Sequence, residues 1–242
     1  MRKTIGLCFM IIMGLTCRAY GQKIHAHNDY ENERPFWGAF EAGAHSIEVD
    51  VYLKDHTLYV THAEKEIMPR NTLDKLYLMP LESVQGQMQD TLQLLVDIKS
   101  EAYTTLDALM LLLDAHPSLQ QSKIKFVISG NRPDEKDYGN YPAYLFFDYQ
   151  NINKLPADLS KIALLSLPFY RFSKWQTEGT IAEEKALLAI IQKAHAAGLP
   201  IRFWATPDYP LAWLKLKYMD VDFINTDHPK KCALFLAISQ KY

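Results

Sequence analysis

Between His25 and His62 the chain gathers the side chains best suited to chemistry: His25, His27, Asn28, Glu48, Asp50 and His62. Glu48 and Asp50 lie in a run, Ser46–Leu53, that reads as a β-strand, and residues i and i+2 of a strand project to the same face. Two neighbouring carboxylates make a clamp for a hard cation. A histidine on either side, His27 before and His62 after, can give and take protons near neutral pH. That set suits metal-assisted attack at phosphorus.

The elements that must position these residues are legible as an alternation. Short apolar, β-branched or aromatic runs occur at Lys23–His27, Ser46–Leu53, Leu94–Lys99, Lys125–Ser129, Tyr144–Phe147, Ile162–Leu167, Ile201–Ala205 and Asp222–Thr226. Amphipathic stretches such as Thr105–Ala115 and Ile181–Ala197 separate several of them, the second stopped by Gly198 and Pro200. Leu58–Thr61 is expected to return on the second strand across an Asp55-His56 turn. Eight buried strands alternating with helices predict an α/β protein, a parallel (β/α)8 TIM barrel, whose active site lies at the C-terminal ends of the strands. His27, Glu48, Asp50, Asp97, Lys99, Trp204 and Asp227 all fall in or just after the second half of a strand.

Of the 242 residues, the first 21 read as a secretory signal peptide: Arg2 and Lys3, an apolar run Ile5–Leu15, and a small-x-small site at Ala19-Tyr20-Gly21. The run is too short for a membrane span. A lipid anchor on Cys17 is the weaker alternative, because Gly14-Leu15-Thr16 makes a poor lipobox. The expected location is periplasmic or secreted, with residues 22–242 as one barrel domain. Cleavage removes Arg2, Lys3 and Arg18 and no acid, moving the formal charge from −2 to −5. A mildly acidic chain carries no electrostatic footprint for nucleic acid. Cys232 alone remains, so no internal disulfide can form. Contact with membranes is expected to be peripheral at most, and no protein partner is implied.

Several stretches resemble, in order and spacing, the glycerophosphodiester phosphodiesterase and phosphatidylinositol-specific phospholipase C superfamily, in particular the branch of the altered inheritance of mitochondria proteins. They are His25-Ala-His-Asn-Asp-Tyr30, Gly43-Ala-His-Ser-Ile-Glu-Val-Asp-Val51, Leu58-Tyr-Val-Thr-His62, Asn71 to Leu81, Leu95-Val-Asp-Ile-Lys99 and Phe223-Ile-Asn-Thr-Asp-His-Pro229. The resemblance implies that His27 and His62 act as general acid and base. It implies that Glu48, Asp50 and Asp97 bind Mg²⁺ or Ca²⁺. It further implies that Lys99 contacts a phosphate oxygen and that Trp204 flanks the substrate, a small phosphodiester or lipid headgroup. Three carboxylates without a thiolate are a hard oxygen site and agree with that cation choice. The chain departs from the family at Asn28, which stands where glycerophosphodiesterases carry a phosphate-binding arginine, and in a short segment, 63–91, between His62 and the next strand.

Blander roles compete at several positions. His25, one layer deeper than His27, reads as a packed, hydrogen-bonded histidine, and Asp227 as a cap for the helix after Pro229. His45, His56, His116 and His195 read as surface residues, while Arg171 and Trp175 are candidates for the pocket wall. Two other functions fit parts of the pattern. His25-Ala26-His27 resembles the H-x-H of amidohydrolases and of polymerase-and-histidinol phosphatases. A barrel lacking the strand-one arginine also suits a non-catalytic phosphate or headgroup binder.

Overall fold

The computed structural model describes residues 22–175 and 179–239; the signal peptide expected at 1–21, with Cys17, lies outside them. Nine strands are found among the described residues: β1 (Lys23–Ala26), β2 (Ser46–Lys54), β3 (Thr57–Val60), β4 (Leu92–Ile98), β5 (Ile124–Gly130), β6 (Leu145–Tyr149), β7 (Ile162–Pro168), β8 (Ile201–Trp204) and β9 (Phe223–Thr226). Eight of them pair in parallel in the order β1-β2-β4-β5-β6-β7-β8-β9, and β9 pairs back onto β1 to close the barrel. The ninth, β3, returns antiparallel along the end of β2 across Asp55 and His56, both at positive φ. This two-residue turn twists as a hairpin requires and delivers His62 to the barrel's C-terminal rim.

The helices are α1 (Trp37–Glu41), α2 (Met79–Val84), α3 (Ala102–Asp114), α4 (Pro117–Gln120), α5 (Ile181–Ala196), α6 (Pro210–Tyr218) and α7 (Pro229–Ile238). α3 begins three residues earlier than periodicity suggested, because the Glu101 carboxylate accepts from the backbone N–H groups of Tyr103 and Thr104. α5 starts from a full capping box between Thr180 and Glu183. No α-helix covers the connection from β5 to β6, which holds only the 3-10 turn Glu135–Asn140, or that from β6 to β7, so the barrel departs there from strict alternation.

Strand parity sorts the side chains. Ile47, Val49 and Val51 on β2, and Leu94, Val96 and Ile98 on β4, are buried outward against the helices. The opposite parity points into the barrel. Its lower end is filled by Leu95, Val127, Leu164 and Phe223. The rest of the interior is polar: His25, Ser46, Glu48, Gln93, Ser129, Asp148, Ser166, Arg202 and Asn225 are all buried. Groups so placed need partners, and their pairing builds the site. Three histidines depart from the surface role expected of them. His116 is buried, 2.9 Å from Asp74 and from Glu82, where it ties the α3–α4 corner to α2 and the segment before it, and His45 and His195 are partly buried, the latter 2.8 Å from Asp222.

Candidate active site

A cavity of about 230 Å³ opens at the C-terminal end of the barrel, lined by His27, Asn28, Glu48, Asp50, His62, Asp97, Lys99, Ser129, Gly130, Gln150, Arg202 and Trp204. All eight residues singled out as site residues are therefore brought together. Register explains part of this: Asp50 on β2 pairs with Asp97 on β4, and Asp97 with Ser129 on β5. One oxygen from each of Glu48, Asp50 and Asp97 lies within 4.8 Å of the others.

The loop motif after β1 works residue by residue. His25 is fully buried; its Nδ1 accepts from the Ser46 hydroxyl at 2.8 Å and its Nε2–H donates to Glu48 Oε2 at 2.6 Å. The Ser46 oxygen accepts in turn from Gln93. Burial, followed by the nearby Arg202 charge, lowers the His25 pKa to about 4, so this ring is neutral. With both nitrogens engaged, His25 cannot serve as half of an H-x-H metal pair. His27 points into the cavity, with Nδ1 2.7 Å from Asp227 Oδ1. Asn28 adopts the left-handed conformation, φ 43°, which bends the chain over the rim. Asp29 is buried and accepts from the Phe36 backbone N–H and the Tyr77 hydroxyl, which pins the loop. Tyr30 donates to Asp50 Oδ2 at 2.9 Å.

Asp227 therefore is not the helix cap it resembled. His228 occupies the N-cap position of α7, and the Asp227 carboxylate orients His27. Its backbone is fixed by a 2.8 Å hydrogen bond to Asp208. Partial burial opposes charging of His27, but the Asp227 hydrogen bond and the charges of Glu48 and Asp227 outweigh it and raise the pKa. On the other side, His62 Nδ1 lies 2.7 Å from Asp50 Oδ2, and its ring is two-thirds exposed. Lys99 Nζ sits 3.3 Å from Asp50 Oδ1 and 3.2 Å from Asp97 Oδ1. Trp204 forms one wall, edge-on to Tyr170 at 5.6 Å. Trp175 belongs to the core, packed against Phe169, and Arg171 is exposed, so neither lines this cavity.

The residues fit a divalent cation on two grounds. Asp50 Oδ1 and Asp97 Oδ1 are buried without a hydrogen-bond donor; the Lys99 ammonium makes an ionic contact with each but no aligned hydrogen bond. Burial raises the Asp97 pKa to about 6; Lys99 pulls it down, and the charges of Glu48 and Asp50 push it further up. A cluster short of positive charge and rich in bare oxygens is what a hard cation would complete.

Sequence reasoning passed over Arg202. This guanidinium is 3% exposed, 2.7 Å from Glu48 Oε2 and 3.0 Å from the Ser166 hydroxyl, and it rests against His25 Nε2. Burial alone would raise the Glu48 pKa, but the Arg202 charge and the His25 hydrogen bond hold it well below the usual carboxylate range. The signal was parity: Arg202 stands two residues before Trp204 on β8 and so faces inward. Gly130 was also missed. With φ +66°, it places its backbone where any Cβ would overlap Asp97 Oδ1.

By fold the chain is a TIM barrel, with its polar cavity at the C-terminal ends of the strands. A glycerophosphodiester phosphodiesterase from Agrobacterium tumefaciens superposes with a TM-score of 0.59 at 16% identity, covering 89% of this chain and 99% of that one. An Oleispira antarctica phosphodiesterase, solved with the product sn-glycerol-3-phosphate, gives 0.57 at 14% identity, covering 89% and 96%. Residues 14–90 match the family described as the AIM6-like phosphodiesterase domain. The altered inheritance of mitochondria protein 6 of Kluyveromyces lactis is 24% identical over 88% of this chain and 71% of its own length. The homolog of that protein from Arthroderma benhamiae is 25% identical over 84% and 80%. The family resemblance borne by the sequence motifs thus holds both in sequence and in fold.

Proposed function

We propose that the protein is a metal-dependent phosphoric diester hydrolase, acting on glycerophosphodiesters or phospholipid headgroups with His27 and His62 as its acid and base. The observation that carries this reading is the pairing of each histidine with its own carboxylate on either side of the three-carboxylate cluster. Glu48, Asp50 and Asp97 would hold Mg²⁺ or Ca²⁺, which when bound polarises a phosphoryl oxygen and offsets the charge that develops on it. Lys99 adds a fixed ammonium at the same place and pairs with a phosphate oxygen. Asn28 and the Trp204 face bound the substrate.

His27 is suited to the acid. Its Nδ1–H is held by Asp227, its pKa is raised, and Nε2–H is left to protonate the departing alkoxide. His62, with Nδ1–H donated to Asp50, keeps the Nε2 lone pair to take a proton from the nucleophile, either water or a neighbouring substrate hydroxyl. Each histidine contributes roughly 10²–10⁴-fold in rate. Oriented carboxylate partners argue for turnover over simple headgroup binding, which needs no acid/base pair.

The test is a panel of diesters: glycerophosphocholine, glycerophosphoinositol, lysophospholipids and a nitrophenyl diester. Each is assayed after chelation and after add-back of Mg²⁺, Ca²⁺ or Zn²⁺, with His27→Ala alongside. Turnover restored by Mg²⁺ or Ca²⁺ and abolished in the variant is expected. Failure with every cation, or activity indifferent to His27, refutes the reading.

A further inference from the structure

Glu48 has two jobs at once, and they pull against each other. It belongs to the carboxylate cluster, yet its Oε2 is taken up by Arg202 at 2.7 Å and by His25 at 2.6 Å. Arg202 itself is held by Ser166 and, more distantly, by Asn225 at 3.4 Å. It lines the same cavity as the carboxylates. Leaving aside the His27–Asp227 ion pair, which cancels within itself, Glu48, Asp50 and Asp97 bring three negative charges to this end of the barrel; Lys99 and Arg202 return two positive ones. The balance is a single negative charge, low for a site that must hold a divalent ion by itself, since affinity grows with ligand charge. A divalent cation turns that balance to +1, which an anion bound beside it offsets: a phosphodiester monoanion brings it to zero, and a phosphomonoester dianion at pH 8 to −1.

We infer that Arg202 is a positioning residue of the cation site. It fixes Glu48 through Oε2, leaves Oε1 to the cation, and weakens the affinity of the empty pocket so that cation and anionic substrate are held as a pair. This rests on the phosphodiesterase reading for the identity of the anion. Coupling of this kind is reciprocal: whatever factor the anion adds to cation affinity, the cation adds to anion affinity.

The experiment is calorimetric titration of the chelator-stripped protein with MgCl₂ and CaCl₂ at pH 8, with and without sn-glycerol 3-phosphate. The wild type should bind either ion with a Kd of roughly 0.1–1 mM and at least ~10-fold tighter when the anion is present. Arg202→Met removes a charge one carboxylate away from the cation and should tighten anion-free binding by at least ~10-fold, while losing turnover and most of the coupling. Arg202→Lys, which keeps the charge, should stay near the wild-type affinity. A merely structural arginine predicts the opposite, since its loss would lower affinity and activity together. Anion-free affinity that is unchanged or weaker in Arg202→Met overturns the inference. So does micromolar binding by the wild type without anion, a result that stands even if Arg202→Met fails to fold. A wild type with the expected affinities that cleaves no diester would refute the phosphodiesterase reading and leave the role of Arg202 intact. Cleavage with tight, anion-independent cation binding would do the reverse.

Discussion

Replacing Gly130 by alanine tests whether the carboxylate cluster depends on a bare backbone. Gly130 ends β5 at φ +66°, and a Cβ there would overlap Asp97 Oδ1 and lie 2.5 Å from the Ile98 carbonyl oxygen. The left-handed conformation alone costs alanine about 1–2 kcal/mol. Gly43 at φ +74° and Gly198 at φ +73° would meet that cost and nothing more, since no atom lies within 4 Å of an added Cβ at either. At Gly130 the overlap with backbone adds overpacking of roughly 1–3 kcal/mol. The expected total is about 3 kcal/mol, a fall in Tm of roughly 6–12 °C at 2–4 °C per kcal/mol, against roughly 2–8 °C for the controls. The Asp97 side chain must also swing away, so cation affinity should fall at least ~10-fold in Gly130→Ala and stay unchanged in Gly43→Ala and Gly198→Ala. Thermal unfolding and calorimetric titration of the three variants read both quantities. Gly130→Ala with control-like stability and wild-type cation affinity would show that Asp97 is not held as described.

Other outcomes follow from the same geometry. If His27 donates its proton to the leaving group, activity declines as pH rises through its raised pKa; Asp227→Asn removes the stabilising charge and should move that alkaline limb to lower pH, with kcat down roughly 10–100-fold. An unmoved limb would mean that another group is the acid. His62→Ala should lower kcat by roughly 10²–10⁴-fold with Tm nearly unchanged, its ring being largely exposed; a variant within twofold of wild type in a diester assay removes it from the mechanism. Tyr30→Phe deletes the hydrogen bond to buried Asp50 and should cost about 1–3 kcal/mol in urea-induced unfolding. Thr180→Ala dismantles the capping box of α5 and should cost about 1 kcal/mol by the same measurement without altering turnover.

Much of this molecule is written in the order of its residues. Every barrel strand was visible as a short apolar or β-branched run, because a parallel strand buried on one face by helices and on the other by the barrel must be apolar along most of its length. The period-two alternation of Ser46-Ile47-Glu48-Val49-Asp50 assigned Glu48 and Asp50 to the interior before any fold was known, and the hairpin at Asp55-His56 was readable from turn chemistry. Because barrel sites gather at strand ends, the placement of His27, His62, Asp97, Lys99 and Trp204 followed from the fold itself. What could not be read was which of these groups would touch. Asp227 looked like a helix cap, since its local sequence is that of one; its partner His27 is 200 residues away and meets it only when β9 closes on β1. Arg202 looked like any charge in a strand until the closed barrel set it against Glu48. Gly130 drew no notice because its function is the absence of a side chain beside Asp97. Local pattern fixes which face a residue occupies, for that depends on backbone period alone; which charges share a buried space depends on closure of the whole ring, and only the tertiary structure decided that.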